Sequence, residues 1–167
     1  MNPIPVVSTT DGELNVEAFG TLEGTVDLQG RSDESGAEVC AEQGGAVVDC
    51  TTTDAAGNYA LLLSDGSYDI VVEMSRYLDA EKMGQVVAAG DTTTLCQVKL
   101  LGGDANDDDV INILDLSFMG YRFGLCEGDP DYDVRADINN DGCINILDIT
   151  GAGASFNETS PVPWDCP

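Results

Sequence analysis

Apolar and polar positions alternate in short runs from about Leu22 to Leu100, and turn-forming residues interrupt them about every eight to twelve positions. Runs of this kind, rich in Val, Leu, Thr and Tyr, predict an all-β unit. Seven strands are expected, near Thr21–Leu28, Ala37–Glu42, Ala46–Thr52, Asn58–Leu63, Ser67–Glu73, Gly84–Ala88 and Thr93–Leu100. Tyr68, Ile70 and Val72 alternate with Asp69, Val71 and Glu73, so this strand buries one face and wets the other, as antiparallel sheets do. The expectation is a small β-sandwich.

After Leu100-Leu101-Gly102-Gly103 the period changes. The run Ile113–Phe123 predicts a helix that stops before Gly124. Its core face is Leu116, Met119 and Phe123 at i, i+3 and i+7, and Ile149, Ala152 and Phe156 repeat that face later. The recurrence is a duplication: Ile111-Asn112-Ile113-Leu114-Asp115 returns as Ile144-Asn145-Ile146-Leu147-Asp148, and Asp104-Ala105-Asn106-Asp107-Asp108 aligns with Asp137-Ile138-Asn139-Asn140-Asp141. The first helix also carries a second apolar face, Leu114, Phe118 and Tyr121, with Ile113 at its start and Arg122 alongside. One small helix pair cannot bury both faces, so the second reads as a binding patch. The matching positions in the second copy are Ile146, Leu147, Gly151, Ala154 and Ser155, a small and flat face. The alternative is that Phe118 and Tyr121 pack against the β-unit or the linker from Cys126 to Arg135.

Composition narrows the function. Among 167 residues, six Lys and Arg oppose 31 Asp and Glu, a formal charge of −25, and there is no His. Such a surface repels phosphate backbones, which excludes nucleic acid, and it favours multivalent cations. Without His, neither Ser-His-Asp nor Cys-His catalysis is available, and the chain is not expected to be an enzyme. No stretch approaches the ~18 apolar residues of a membrane span, and Met1-Asn2-Pro3 lacks the regions of a signal peptide, so the sequence reads as a mature fragment without membrane insertion. Six Cys without a CxxC pair favour disulfides and an extracellular setting.

The acidic half carries the candidate chemistry. Each copy reads D-x-N-x-D-x-x-I-N-x-x-D, with oxygen side chains at loop positions 1, 3, 5, 9 and 12 and a backbone carbonyl at 7. Calcium takes six to eight hard oxygens at ~2.3–2.6 Å, and alternate loop positions can wrap one ion while position 12 closes the far side. Candidate ligands are Asp104, Asn106, Asp108, the Val110 carbonyl, Asn112 and Asp115 for one ion, and Asp137, Asn139, Asp141, the Cys143 carbonyl, Asn145 and Asp148 for a second. Magnesium, which demands tighter octahedral geometry, is the weaker alternative. Position 6 must turn sharply: Gly142 suits it, whereas Asp109 is a departure. Ile111 and Ile144, at position 8, are expected to pair backbone to backbone. Carboxylates crowded in this way should make folding metal-dependent.

Two resemblances follow from these motifs. Thr53-Asp54-Ala55-Ala56-Gly57-Asn58-Tyr59-Ala60-Leu61 and Gly66-Ser67-Tyr68-Asp69-Ile70 resemble the prealbumin-like carboxypeptidase-regulatory and Cna B-type families, which implies a non-catalytic spacer or stabilising sandwich. Cys40 and Cys50 flank Gln43-Gly44-Gly45 and would face each other in a hairpin; Cys96 then needs a partner among Cys126, Cys143 and Cys166, which the sequence leaves open. The tandem loop-helix repeat is similar to a dockerin module, with one loop and one helix per copy in place of a full EF-hand. That resemblance implies two calcium ions and a cohesin domain as partner, in extracellular multi-enzyme complexes of the cellulosome type or in attachment to cell surfaces, by a chain that is monomeric when unbound.

Positions 10 and 11 are Ile113-Leu114 and Ile146-Leu147, so recognition is expected to be hydrophobic, nearer the type II pattern. Trp164 is expected to fold back near Leu100 or Leu101. The expected organisation is an N-terminal segment over 1–17, an all-β prealbumin or immunoglobulin-like sandwich over 18–101, and a small α-helical dockerin over 102–167, the two modules abutting. Competing readings are a calcium-braced structural stalk without a partner, and a carbohydrate-binding module.

Overall fold

A computed structural model describes residues 6–10, 13–164 and 166. The expected N-terminal segment 1–17 lies partly outside the described residues; where it is described, β1 (Val6–Thr10) pairs antiparallel with β2 (Glu13–Glu17). The sandwich is built from two sheets. In the first, β3 (Phe19–Leu28) runs antiparallel to β6 (Asn58–Ser64), and β9 (Thr92–Thr94) and β10 (Val98–Leu100) both pair with β3 in parallel. The second has the order β5 (Ala46–Thr52), β4 (Glu38–Gln43), β7 (Gly66–Glu73), β8 (Ala80–Val87), antiparallel throughout.

Period-2 alternation decides what lies between the sheets. Leu22, Val26 and Leu28 of β3, Leu61 and Leu63 of β6, Val39 and Ala41 of β4, and Tyr68, Ile70 and Val72 of β7 are all buried. Each large aliphatic side chain removed from water in this way contributes roughly 1.5–3 kcal/mol against chain entropy.

Two strands depart from expectation. The seventh divides into β9 and β10, because Leu95 turns inward and the Cys96 carbonyl accepts the Trp164 indole N–H. β8 begins at Ala80 instead of Gly84: this edge strand, with Glu81 exposed and Lys82 half-buried opposite Ile70, shows little apolar alternation.

Helices α1 (Ile113–Tyr121) and α2 (Ile146–Ala154) are nine residues each. Met119 and Ala152 are fully buried, and Leu116 and Ile149 pack against the same core. Phe123 and Phe156, expected on that face, are exposed: each helix ends before reaching them, so the i+7 position no longer points inward. Among the described residues no helix is long and apolar enough to cross a membrane.

The modules abut through Gly102-Gly103. Gly103 has φ +133°, and a Cβ there would lie 2.6 Å from Ala152 Cβ, so only glycine lets α2 approach this closely. All six cysteines are bridged: Cys40–Cys50 across the β4–β5 hairpin, Cys126–Cys143 within the helical part, and Cys96–Cys166 between the modules.

Candidate functional site

The two acidic loops, loop one (Asp104–Asp115) and loop two (Asp137–Asp148), repeat one hydrogen-bond pattern. The position 1 carboxylates accept the position 5 and position 6 amides: Asp104 from Asp108 and Asp109 at 3.1 and 2.8 Å, Asp137 from Asp141 and Gly142 at 3.2 and 2.9 Å. At position 9, the Asn112 and Asn145 side chains accept the Leu114 and Leu147 amides and so cap the helices. The position 12 carboxylates of Asp115 and Asp148 return the bond to the Asn112 and Asn145 amides at 2.8 Å, which completes a capping box at each helix start. Their other oxygens reach the position 3 amides of Asn106 and Asn139. One carboxylate thus starts the helix and closes the loop.

Positive φ occurs where the sequence demanded it, at Gly142 (+89°) and at Asp109 (+66°). Position 4 shares it, at Asp107 (+53°) and Asn140 (+57°).

The electrostatics of the loops call for a cation. Asp104, Asp115, Asp137 and Asp148 are almost wholly buried. In loop one the carboxylate oxygens of Asp104, Asp108 and Asp115 lie within 4.8 Å of one another. Among the described residues that three-carboxylate convergence occurs in loop one, and no Lys or Arg pairs with a carboxylate at position 1, 5 or 12 of either loop. Burial holds the Asp104 and Asp148 carboxyls above their ordinary range, against the pull of the amides that bond them. Hard oxygens, dense negative charge and backbone carbonyls at Val110 and Cys143 form a donor set that suits calcium.

Ile111 and Ile144 do not pair with each other as expected. Ile111 bonds Asn157 and Glu158 after α2, whereas Ile144 bonds Gly124 and Leu125 after α1. Each loop therefore leans on the segment that follows the other copy's helix, and the Val110–Thr159 and Cys126–Cys143 bridges continue those two contacts.

The candidate recognition residues divide into two sets. Ile113 and Leu114 are 63% and 62% exposed, and Ile146 and Leu147 are 57% and 60%, so the two pairs are presented almost equally. Tyr121 and Ala154 are exposed as well. Phe118 and Arg122 are engaged within the chain. The guanidinium groups of Arg122 and Arg135 lie 3.8 and 4.7 Å from the centre of the Phe118 ring, and Asp133 binds both. Ser155, 2% exposed, faces the sandwich, where Gln29 accepts from its hydroxyl and donates to the Gly151 carbonyl, whereas the Cβ direction of Gly151 is open.

Several site-supporting residues carry no local signal in the sequence. Gln29 also accepts the Gly102 amide, and Ser75 and the Arg76 amide bind the Asp107 carboxylate. The Tyr132 hydroxyl donates to Asp137 at 2.7 Å.

Comparison with known proteins accords with this division of the chain. Residues 21–101 match the carboxypeptidase regulatory-like domain and residues 102–151 the dockerin type I domain. No curated protein matches the chain. Among solved structures, two interface mutants of a type II cohesin–X-dockerin complex from Acetivibrio cellulolyticus are similar in fold. The N-terminal interface mutant gives a TM-score of 0.71 at 24% identity, and the C-terminal interface mutant 0.72 at 22%. Each alignment covers 84% of this chain and 97% of that one. Geometry and family matches agree on the same two parts: residues 21–101 are similar to the carboxypeptidase regulatory-like domain and residues 102–151 to the dockerin type I domain.

Proposed function

We propose that the chain is a non-catalytic, calcium-dependent docking unit that binds a cohesin domain, with the sandwich over 18–101 as stabilising spacer and residues 102–167 as the docking module. The observation that carries this reading is the coincidence of two matched acidic loops with two equally exposed Ile-Leu pairs at the starts of the helices that those loops cap. Calcium would be held by Asp104, Asn106, Asp108, Val110, Asn112 and Asp115 in loop one and by Asp137, Asn139, Asp141, Cys143, Asn145 and Asp148 in loop two, which neutralises buried carboxylates and fixes the helix starts. The partner face is Ile113, Leu114, Tyr121, Ile146, Leu147, Gly151 and Ala154; Phe118, Arg122 and Ser155 serve internal packing.

A cohesin partner fits the dockerin family match and the complexes that share the fold, and the apolar Ile-Leu pairs favour a type II cohesin. Three disulfides suit an extracellular setting, such as a cellulosome-like assembly or a cell surface. Calorimetric titration with a panel of cohesins, with and without EGTA, tests the reading. Saturable binding that EGTA abolishes supports it. Calcium-induced folding without capture of any cohesin would leave a structural stalk instead.

A further inference from the structure

The loops have no direct backbone bridge to each other, yet their first residues meet at one amino acid of the sandwich. The Arg76 carbonyl accepts the amides of Gly103 at 2.9 Å and of Asp104, which opens loop one, at 3.1 Å. The Arg76 amide donates to Asp107 Oδ1 at 2.7 Å, while Ser75 Oγ holds Asp107 Oδ2 at 3.0 Å. The guanidinium Nη1 crosses to the other side and donates to the carbonyls of Val134 at 2.8 Å and of Asp137, which opens loop two, at 2.6 Å. Arg76 is 8% exposed and has φ +76°, a conformation that a non-glycine residue keeps only where its surroundings hold it. Tyr77 continues the contact with a hydroxyl bond to the Ile138 carbonyl at 2.8 Å.

We propose that Arg76 is a positioning residue that couples the two calcium loops, so that an ion in either loop tightens the other. The inference rests on the calcium reading above. Asp104 and Asp137 hang from the main chain and side chain of the same residue. Ordering one loop around an ion therefore fixes Arg76 and removes freedom that the other loop would otherwise have to lose on binding. Such coupling is reciprocal, and it needs no change of shape. Coupling that travelled through the packed helices instead would survive loss of the guanidinium.

The test is a cycle on the full chain. Calcium is titrated by calorimetry, and the Asp109 and Gly142 amide resonances report loops one and two, because those amides donate to Asp104 and Asp137. Asp115→Asn disables loop one. In the native chain it should weaken calcium at loop two by about fivefold or more. In Arg76→Met, which keeps the stem and the main-chain bonds, the same substitution should change loop two less than about twofold. Arg76→Lys, with one ammonium in place of the fork, should fall between.

Equal weakening of loop two in the native and Arg76→Met chains overturns the proposal, as does no weakening in the native chain while both loops still take up calcium. Should Arg76→Met fail to fold, the cycle on Arg76→Lys decides: unchanged coupling overturns it, reduced coupling supports it. A native chain in which neither resonance responds to calcium overturns the calcium reading itself, and the coupling with it.

Discussion

Trp164 donates its indole N–H to the carbonyl of Cys96 at 2.9 Å, and the disulfide from Cys96 to Cys166 closes the chain two residues further on. Lys82 secures the same segment through the Trp164 carbonyl. The C-terminus is therefore fastened to the sandwich after passing the helical module, and the linker at Gly102-Gly103 is one of two covalent joints between them.

Opening the second joint should loosen the modules from each other. In the chain-entropy picture a disulfide that spans 70 residues contributes at most about 4 kcal/mol. The double substitution Cys96→Ser with Cys166→Ser should lower stability in saturating calcium by about 2–4 kcal/mol, read by denaturant unfolding. A loss below about 0.5 kcal/mol would show that Trp164 and the Gln29, Arg76 and Tyr77 contacts hold the joint unaided.

Asp115 has two separable duties. Asp115→Asn keeps an oxygen to accept the Asn112 amide but removes the charge, so calcium stoichiometry should fall by one ion while α1 stays capped. Asp115→Ala removes both and should cost about 1 kcal/mol more. Calorimetric stoichiometry together with thermal unfolding distinguishes the two variants.

The exposed Ile-Leu pairs should matter to a partner and hardly to the fold. Replacing Ile113, Leu114, Ile146 and Leu147 together by Asp should abolish cohesin binding, while calcium-bound stability changes by only about 0.5 kcal/mol per site. Undiminished affinity in surface plasmon resonance would move the interface elsewhere.

Asp79 gives a pH signature. It borders an acidic cleft with Glu73, Asp104, Asp107 and Asp109, and burial, reinforced by those charges, raises its carboxyl to about 6. A carboxyl raised in the folded state favours folding below its unfolded value near 3.8, and that contribution is lost as pH rises through about 6. With calcium in loop one offsetting the charges there, burial remains the main cause, so Asp79→Asn should be more stable than the native chain at pH 7, by about 1 kcal/mol after allowance for solvent screening, and no more stable at pH 4. Thermal unfolding across that range in saturating calcium checks it; a gain equal at both pH values would exclude ionisation as the cause.

What the sequence made legible was what short-range chemistry determines. The helix start at Ile113, the left-handed turn at Gly142 and the Cys40–Cys50 hairpin all involve groups a few positions apart, so spacing alone exposes them. The inward row Tyr68, Ile70 and Val72 was readable for the same reason. Long-range geometry was not. Arg76 reaches carbonyls 58 and 61 positions away, and no local pattern marks it as a clamp. Phe118 looked like part of an open face because Arg135, which covers it, and Asp133, which holds Arg135, arrive from a linker without periodicity. The position 8 pairing failed because each loop bonds the segment after the opposite helix, a consequence of how the two copies pack together.

The most direct measurement adds EGTA to a preformed complex of the chain with a type II cohesin, followed by optical biosensing, and then restores calcium in excess. Docking built on the two loops predicts release in chelator, uptake of two ions per chain on restoration, and recovery of binding. A complex that persists in EGTA, from a chain that retains no bound calcium, would contradict it.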